Sequence, residues 1–200
     1  MRIVTILGSP RRKGNTAAVL SAFERCIGPE HSLERINLWA YHVKGCLGCD
    51  VCQRLIAEPG CKQRDDAVAL LERIWTADLV VYASPVYCWA FSAQLKALMD
   101  RHYCLVKWQG SQMVGQLMAG RRGAMLVTCG GGAAENADLV AEMFVREMDY
   151  LGCGVAGMYV VADCTSPDEL GEKLERTAIQ MAHDLLLSDP ALEQRQSWVA

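Results

Sequence analysis

The sequence predicts an α/β domain built on a doubly wound, five-stranded parallel sheet, and three observations carry that prediction. Short apolar strands alternate with amphipathic helical stretches along the whole chain, the pattern of a parallel sheet covered on both faces. The first strand, Arg2–Leu7, runs straight into a loop rich in glycine, hydroxyl and basic residues and then into a helix. The 200 residues are 52% hydrophobic, ample for a core of ordinary size. A single domain over residues 1–200 is expected, with a cysteine-rich insertion at about 39–62.

Each element has its own signal. After the first strand, a helix from about Asn15 to Ile27 places Val19, Leu20, Phe23, Cys26 and Ile27 on one face. A second strand is expected at Leu33–Leu38, then a long connection from Trp39 to Lys62. The next helix carries Val68, Leu71, Ile74 and Trp75, and Asp78–Ala83 is a buried strand. Ser92–His102 forms a helix with Leu95, Leu98 and Met99 inward, and Ala124–Thr128 the fourth strand. Asn136 is placed to cap a helix bearing Leu139, Val140, Met143, Phe144, Met148 and Leu151, closed by Gly152. The last strand falls within Val155–Val161. Ser166-Pro167-Asp168-Glu169 is a capping box opening a final helix to about Leu187. The tail from Ser188 to Ala200 has no clear period.

Composition narrows the function classes. The net charge is −3 and the pI about 5.8. Basic residues are dispersed apart from Arg11-Arg12-Lys13 and Arg121-Arg122, which disfavours nucleic acid. The most apolar stretch, Leu79 to Phe91, is broken by Ser84-Pro85 and too short to span a bilayer. No export leader is seen ahead of the first strand, so the cytoplasm is the expected compartment. Ten cysteines there argue for metal, redox or buried thiols rather than a disulfide framework.

The loop Gly8-Ser9-Pro10-Arg11-Arg12-Lys13-Gly14-Asn15-Thr16 reads as an anion site. Free backbone N–H groups and the positive end of a helix dipole meet there. Ser9, Asn15 and Thr16 add donors, and Arg11, Arg12 and Lys13 add charge. Five residues separate the two glycines and Asn15 stands where a triphosphate loop needs lysine; a G-x-G-x-x-G run is absent too. What remains suits a terminal monophosphate. Ligands in open α/β sheets gather beyond the carboxyl ends of the strands, so two further loops should converge on it. In Ser84-Pro85-Val86-Tyr87-Cys88-Trp89 the proline fixes a turn, and Tyr87 and Trp89 offer flat faces for a planar ring; those aromatics read equally as core or dimer contacts. In Thr128-Cys129-Gly130-Gly131-Gly132 missing side chains let backbone approach a ligand edge. His31, His42, His102 and His183 form no motif and read as surface or helix-end residues.

Gly8-Ser9-Pro10-Arg11 with Gly14-Asn15-Thr16, then Ser84-Pro85-Val86-Tyr87, then Ser92–Arg101, resemble the NADPH-dependent FMN reductases, from Met1 to about Leu151. The resemblance implies a flavodoxin-like sheet of order 2-1-3-4-5 and FMN as cofactor. It implies that Ser9, Arg11, Asn15 and Thr16 hold the phosphate, and that Pro85 to Tyr87 with Gly130 and Gly131 flank the isoalloxazine. NAD(P)H is the implied donor, stacking its nicotinamide on the flavin. A small-molecule or ferredoxin-type acceptor and a homodimer or homotetramer are further expectations. An FMN-dependent oxidoreductase is the first reading; a flavodoxin- or ferredoxin-like carrier is the alternative, and a flavin-free binding protein a third.

Gly45-Cys46-Leu47-Gly48-Cys49-Asp50-Val51-Cys52 is similar to the compact cysteine motif of the iron-sulfur flavoproteins within that group. C-x2-C-x2-C puts three thiolates in one tight loop, as in runs that ligate a 4Fe-4S cluster, with Cys61 as fourth ligand. The eight residues between Cys52 and Cys61 form a long spacer, so Cys61 is the weakest member. The spacing admits a cluster, a zinc ion, or free thiols covering the flavin or an interface.

Overall fold

A computed structural model of the chain describes residues 1–187; the expected tail lies outside the described residues. Five parallel strands form the sheet: β1 (Arg2–Leu7), β2 (Ser32–Asn37), β3 (Leu79–Tyr87) and, after a short β4 (Ala90–Phe91) and a hairpin β5 (Val106–Gln109) and β6 (Gln112–Gln116), β7 (Arg122–Thr128) and β8 (Gly154–Val161). Their spatial order is β2-β1-β3-β7-β8, which is the expected 2-1-3-4-5 once the parallel strands are counted. The helices are α1 (Asn15–Arg25), α2 (Ala67–Trp75), α3 (Ala93–Asp100), α4 (Asp138–Leu151) and α5 (Glu172–Ala182).

Alternation along the strands splits the core in two. Val4, Ile6, Val80, Tyr82, Met125 and Val127 face α2, α3 and α4. Ile3, Leu7, Leu79, Val81, Ala124 and Leu126 face α1 and α5. This is the double cover that near-continuous apolar strands require.

Several expectations change in detail. Helix α1 stops at Arg25, two residues short of Ile27. Helix α2 buries Ala67, Leu70, Leu71 and Ile74, so Val68 and Trp75 sit at the margin of its inner face. Ala137, not Asn136, occupies the N-cap of α4, because the Asn136 amide turns back to donate to the Gly132 carbonyl at 2.8 Å. The capping box is present, but it closes one 3-10 turn, Pro167–Glu169. Gly171, at φ 46°, then breaks the chain before α5 begins. His102 is no surface residue: it is fully buried, its Nδ1 2.8 Å from Glu147 Oε1.

The largest difference lies in β3, which continues through Ser84-Pro85 instead of turning there. Ala83 accepts the Gly8 amide at 2.8 Å on the β1 side, so by alternation Pro85 aims its nitrogen to the same side. Pairing of β1 with β3 has ended at Leu7 and Ala83, and the missing N–H costs no ladder bond. The turn comes later, at Cys88 (φ 49°) and Trp89 (φ 61°), a two-residue hairpin loop built without glycine.

Candidate functional site

The loop after β1 is clamped before anything binds. The Ser92 hydroxyl donates to the Gly8 carbonyl at 2.6 Å and caps α3 by accepting the Leu95 amide at 3.3 Å. A Cβ on Gly8 would stand 2.7 Å from Leu95 Cβ, so this approach requires glycine. Downstream, Ser9 Oγ accepts the Arg11 amide at 3.1 Å and turns the chain toward Gly14. Gly14 is the N-cap of α1 and has no side chain to satisfy the amides of Asn15, Thr16 and Ala17. The helix start is therefore an uncapped bundle of donors with the Arg11 guanidinium beside it.

These groups open onto a cleft of about 230 Å³, lined by Ser9, Arg11, Gly14, Asn15 and Thr16 on one side. Pro85, Val86 and Tyr87 form a second wall, and Thr128, Cys129, Gly130, Cys164 and Thr165 close the remainder. Nine of the twelve expected cofactor residues thus meet in one place. Thr16 is buried, its hydroxyl 2.7 Å from that of Thr128, which ties the helix start to the end of β7. Asn15 donates its amide to the Cys164 carbonyl at 2.9 Å and leaves its own buried Oδ1 without a partner. An orphaned acceptor beside an uncapped helix start fits a ligand that carries both an anion and hydroxyl donors.

The other three stand back from the cleft. Ser84 is fully buried; its hydroxyl donates to the Pro85 carbonyl at 2.8 Å and accepts the Ser92 amide at 2.9 Å, bracing the wall from behind. Trp89 is 57% exposed and hooks its indole N–H onto the Glu135 carbonyl at 3.0 Å. Gly131 is pressed by Asn136, whose Nδ2 would lie 2.7 Å from a Cβ there. Cys164 and Thr165 were not anticipated. They follow β8, and the rule that ligands collect beyond strand ends would have pointed to them.

The four motif cysteines, Cys46, Cys49, Cys52 and Cys61, line a second cavity of about 20 Å³ with Arg101, Tyr103 and a fifth cysteine, Cys104. Among the described residues no three His, Cys, Asp or Glu side chains are arranged to hold a single metal ion. Backbone amides point at the sulfurs: Gly48 donates to Cys46 and Gln63 to Cys61, each at 3.4 Å. Gly48 (φ 60°) and Asp50 (φ 56°) adopt the left-handed conformation that bends the loop. Burial pushes the Cys52 thiol up to about 11, so a metal bound there would have to displace its proton to solvent.

Two buried cations flank this cavity. Arg101 pairs with Asp65 at 2.7 Å, their side chains 2% and 0% exposed. Burial by itself raises the Asp65 carboxyl, but hydrogen bonds from Arg101 and the Lys44 amide outweigh it and hold the group below its ordinary 3.8. Lys107 is fully buried, its ammonium donating to the carbonyls of Glu58 at 2.9 Å and Cys52 at 3.4 Å. Burial holds the Lys107 ammonium below its ordinary range, and the neighbouring Cys104, Cys52 and Glu58 offset this only in part.

A 2-1-3-4-5 sheet with an uncapped helix start after its first strand defines a flavodoxin-like α/β protein. More narrowly, the chain belongs to the NADPH-dependent FMN reductase family, whose model matches residues 1–164. It is 35% identical over 102 residues to an iron-sulfur flavoprotein of Archaeoglobus fulgidus, covering 50% of this chain and 45% of the relative. It is 37% identical over 102 residues to another from Methanocaldococcus jannaschii, covering 50% and 51%. The chain thus spans about half the length of these curated relatives. Among solved structures, an NAD(P)H:quinone oxidoreductase from Methanothermobacter marburgensis superposes with a TM-score of 0.72 at 19% identity, over 94% of this chain and 98% of that one.

Proposed function

We propose that this chain is an FMN-dependent oxidoreductase that takes electrons from NAD(P)H, with a 4Fe-4S cluster on its cysteine loop. The observation that carries the reading is the uncapped α1 start with Arg11 beside it, set across the cleft from Pro85, Val86 and Tyr87. The amides of Asn15, Thr16 and Ala17 with Arg11 would hold the phosphate, and Asn15 Oδ1 would accept a ribityl hydroxyl. Val86 and Tyr87, with the backbone of Gly130, would flank the ring. Bound there, FMN supplies two-electron chemistry with NAD(P)H and release of electrons to an acceptor. Family membership supports this, as does the name iron-sulfur flavoprotein carried by both curated relatives.

For the cluster, the donor set is the support: four thiols around one cavity, amides aimed at sulfur, and a buried ammonium wanting negative charge. A four-iron cube sets its thiolates farther apart than one tetrahedral ion does, so the loop need not gather them as tightly as zinc would. Cys46, Cys49, Cys52 and Cys61 would ligate it, giving a site that exchanges single electrons.

Protein purified without oxygen should bind one FMN per chain and oxidise NAD(P)H in steady state with a quinone or ferricyanide. It should also carry about four iron and four sulfide per chain. FMN binding without turnover would identify a carrier. Failure to bind FMN at micromolar concentration would overturn the reading.

A further inference from the structure

Five cysteines, not four, surround the cysteine cavity, and the fifth comes from a different part of the fold. Cys104 sits on the 3-10 turn Arg101–Leu105 that follows α3, 43 positions beyond Cys61 in the chain. It is 4% exposed and lines the same cavity as Cys46, Cys49, Cys52 and Cys61. We propose that Cys104 is a ligand position of the cluster site, able to supply the fourth thiolate in place of Cys61. This rests on the cluster reading above.

Three features of the surroundings support it. The Gly60 backbone lies near enough to the Cys104 thiol to favour its thiolate, so the segment that delivers Cys61 passes beside Cys104. The Lys107 side chain is fully buried, fixed by the carbonyls of Cys52 and Glu58, and stands beside Cys104 and Cys52, while the Glu58 side chain is exposed. A thiolate at Cys104 would place the compensating charge in the interior, where a lone ammonium is most costly. Cys61, in contrast, is only partly buried and lies at the end of the long spacer.

The exchange is ligand substitution without change of oxidation state. The iron–sulfur bond to Cys61 breaks as one to Cys104 forms. The Cys104 thiol releases its proton, and the freed Cys61 thiolate takes one up.

The test compares wild type, Cys61→Ser, Cys104→Ala and the double variant, each reconstituted anaerobically with ferrous iron and sulfide. Iron, sulfide, bound FMN and the electron paramagnetic resonance of the reduced protein are measured. Cys61→Ser is read against the double variant, because a serine oxygen can itself bind iron and only the double variant removes Cys104 as well. It should keep about four iron per chain with a shifted resonance spectrum, while the double variant loses its cluster and keeps FMN. Cys61→Ser that binds FMN fully yet holds no iron would sink this proposal alone. Wild type without iron would remove the cluster reading and this proposal with it.

Discussion

Gly14 decides what the first helix can bind, because it leaves the helix start without a cap of its own. A serine there would satisfy one amide internally, and its Cβ would stand 3.0 Å from Arg11 Cβ. The donors therefore stay free, and Arg11 is the charged side chain that reaches them, since Arg12 lies 3.9 Å over the Trp39 ring and is committed elsewhere. Arg11→Ala should weaken FMN by about 1.5–3 kcal/mol, roughly 10- to 150-fold. Riboflavin, which lacks the phosphate, should bind it as it binds wild type. Equal losses for the two ligands in a fluorescence titration would place the phosphate elsewhere. The convergence of these residues on one cleft was legible because the proposed phosphate loop is contiguous and follows a strand. Ser84 and Trp89 were less so. Both sit in the loop that walls the cleft, but whether a hydroxyl or ring faces into it depends on partners such as Ser92 and Glu135, which no local pattern reveals.

At the scale of elements, periodicity gave the five parallel strands and five helices, and it failed where tertiary contacts override local preference. The hairpin β5–β6 was missed because Lys107 occupies a core position, so its strand does not alternate in the usual sense. Pro85 likewise reads as a turn until the end of β1 is known. Burial also explains why the Asp65–Arg101 pair matters: it pins the exit of the cysteine loop to the turn after α3. Arg101→Ala would leave a buried carboxylate unpaired, at a cost of about 3–5 kcal/mol. The sign of its pH dependence follows from the depressed Asp65 carboxyl. Its contribution is complete above the ordinary 3.8 and fades as pH falls through the lower folded value. Urea titrations should therefore show the gap between wild type and variant full at pH 7 and narrowing below pH 3.8. A gap that stayed constant through that range would assign the loss to packing alone.

For the whole molecule, Tyr87 (42% exposed) projects at the rim of the cleft and Trp89 (57% exposed) stands just beyond it, whereas Phe91 of the same segment is buried. Two large aromatics beside a cofactor cleft are poorly served by water, and a second copy of the chain would cover them. Light scattering of the flavin-loaded protein at micromolar concentration should report a dimer or larger, and Trp89→Ser should shift the mass toward the monomer. A wild-type monomer would contradict this. The same view of the molecule gives the cysteine loop a different meaning. Its two ends are stitched to each other: the His42 amide bonds Asp66 at 2.7 Å, the Lys44 amide bonds Asp65 at 2.9 Å, and the Asp66 amide returns to the His42 carbonyl at 3.1 Å. The chain leaves and re-enters the fold through one closed gate, and the excursion between is moored again to β5, where Gln53 bonds the Val106 carbonyl at 3.1 Å and accepts the Trp108 amide at 2.9 Å. The loop is thus a closed ring tied at its base and again at its far side, so its shape is set by the hairpin it rests on and not by the cleft at the sheet edge.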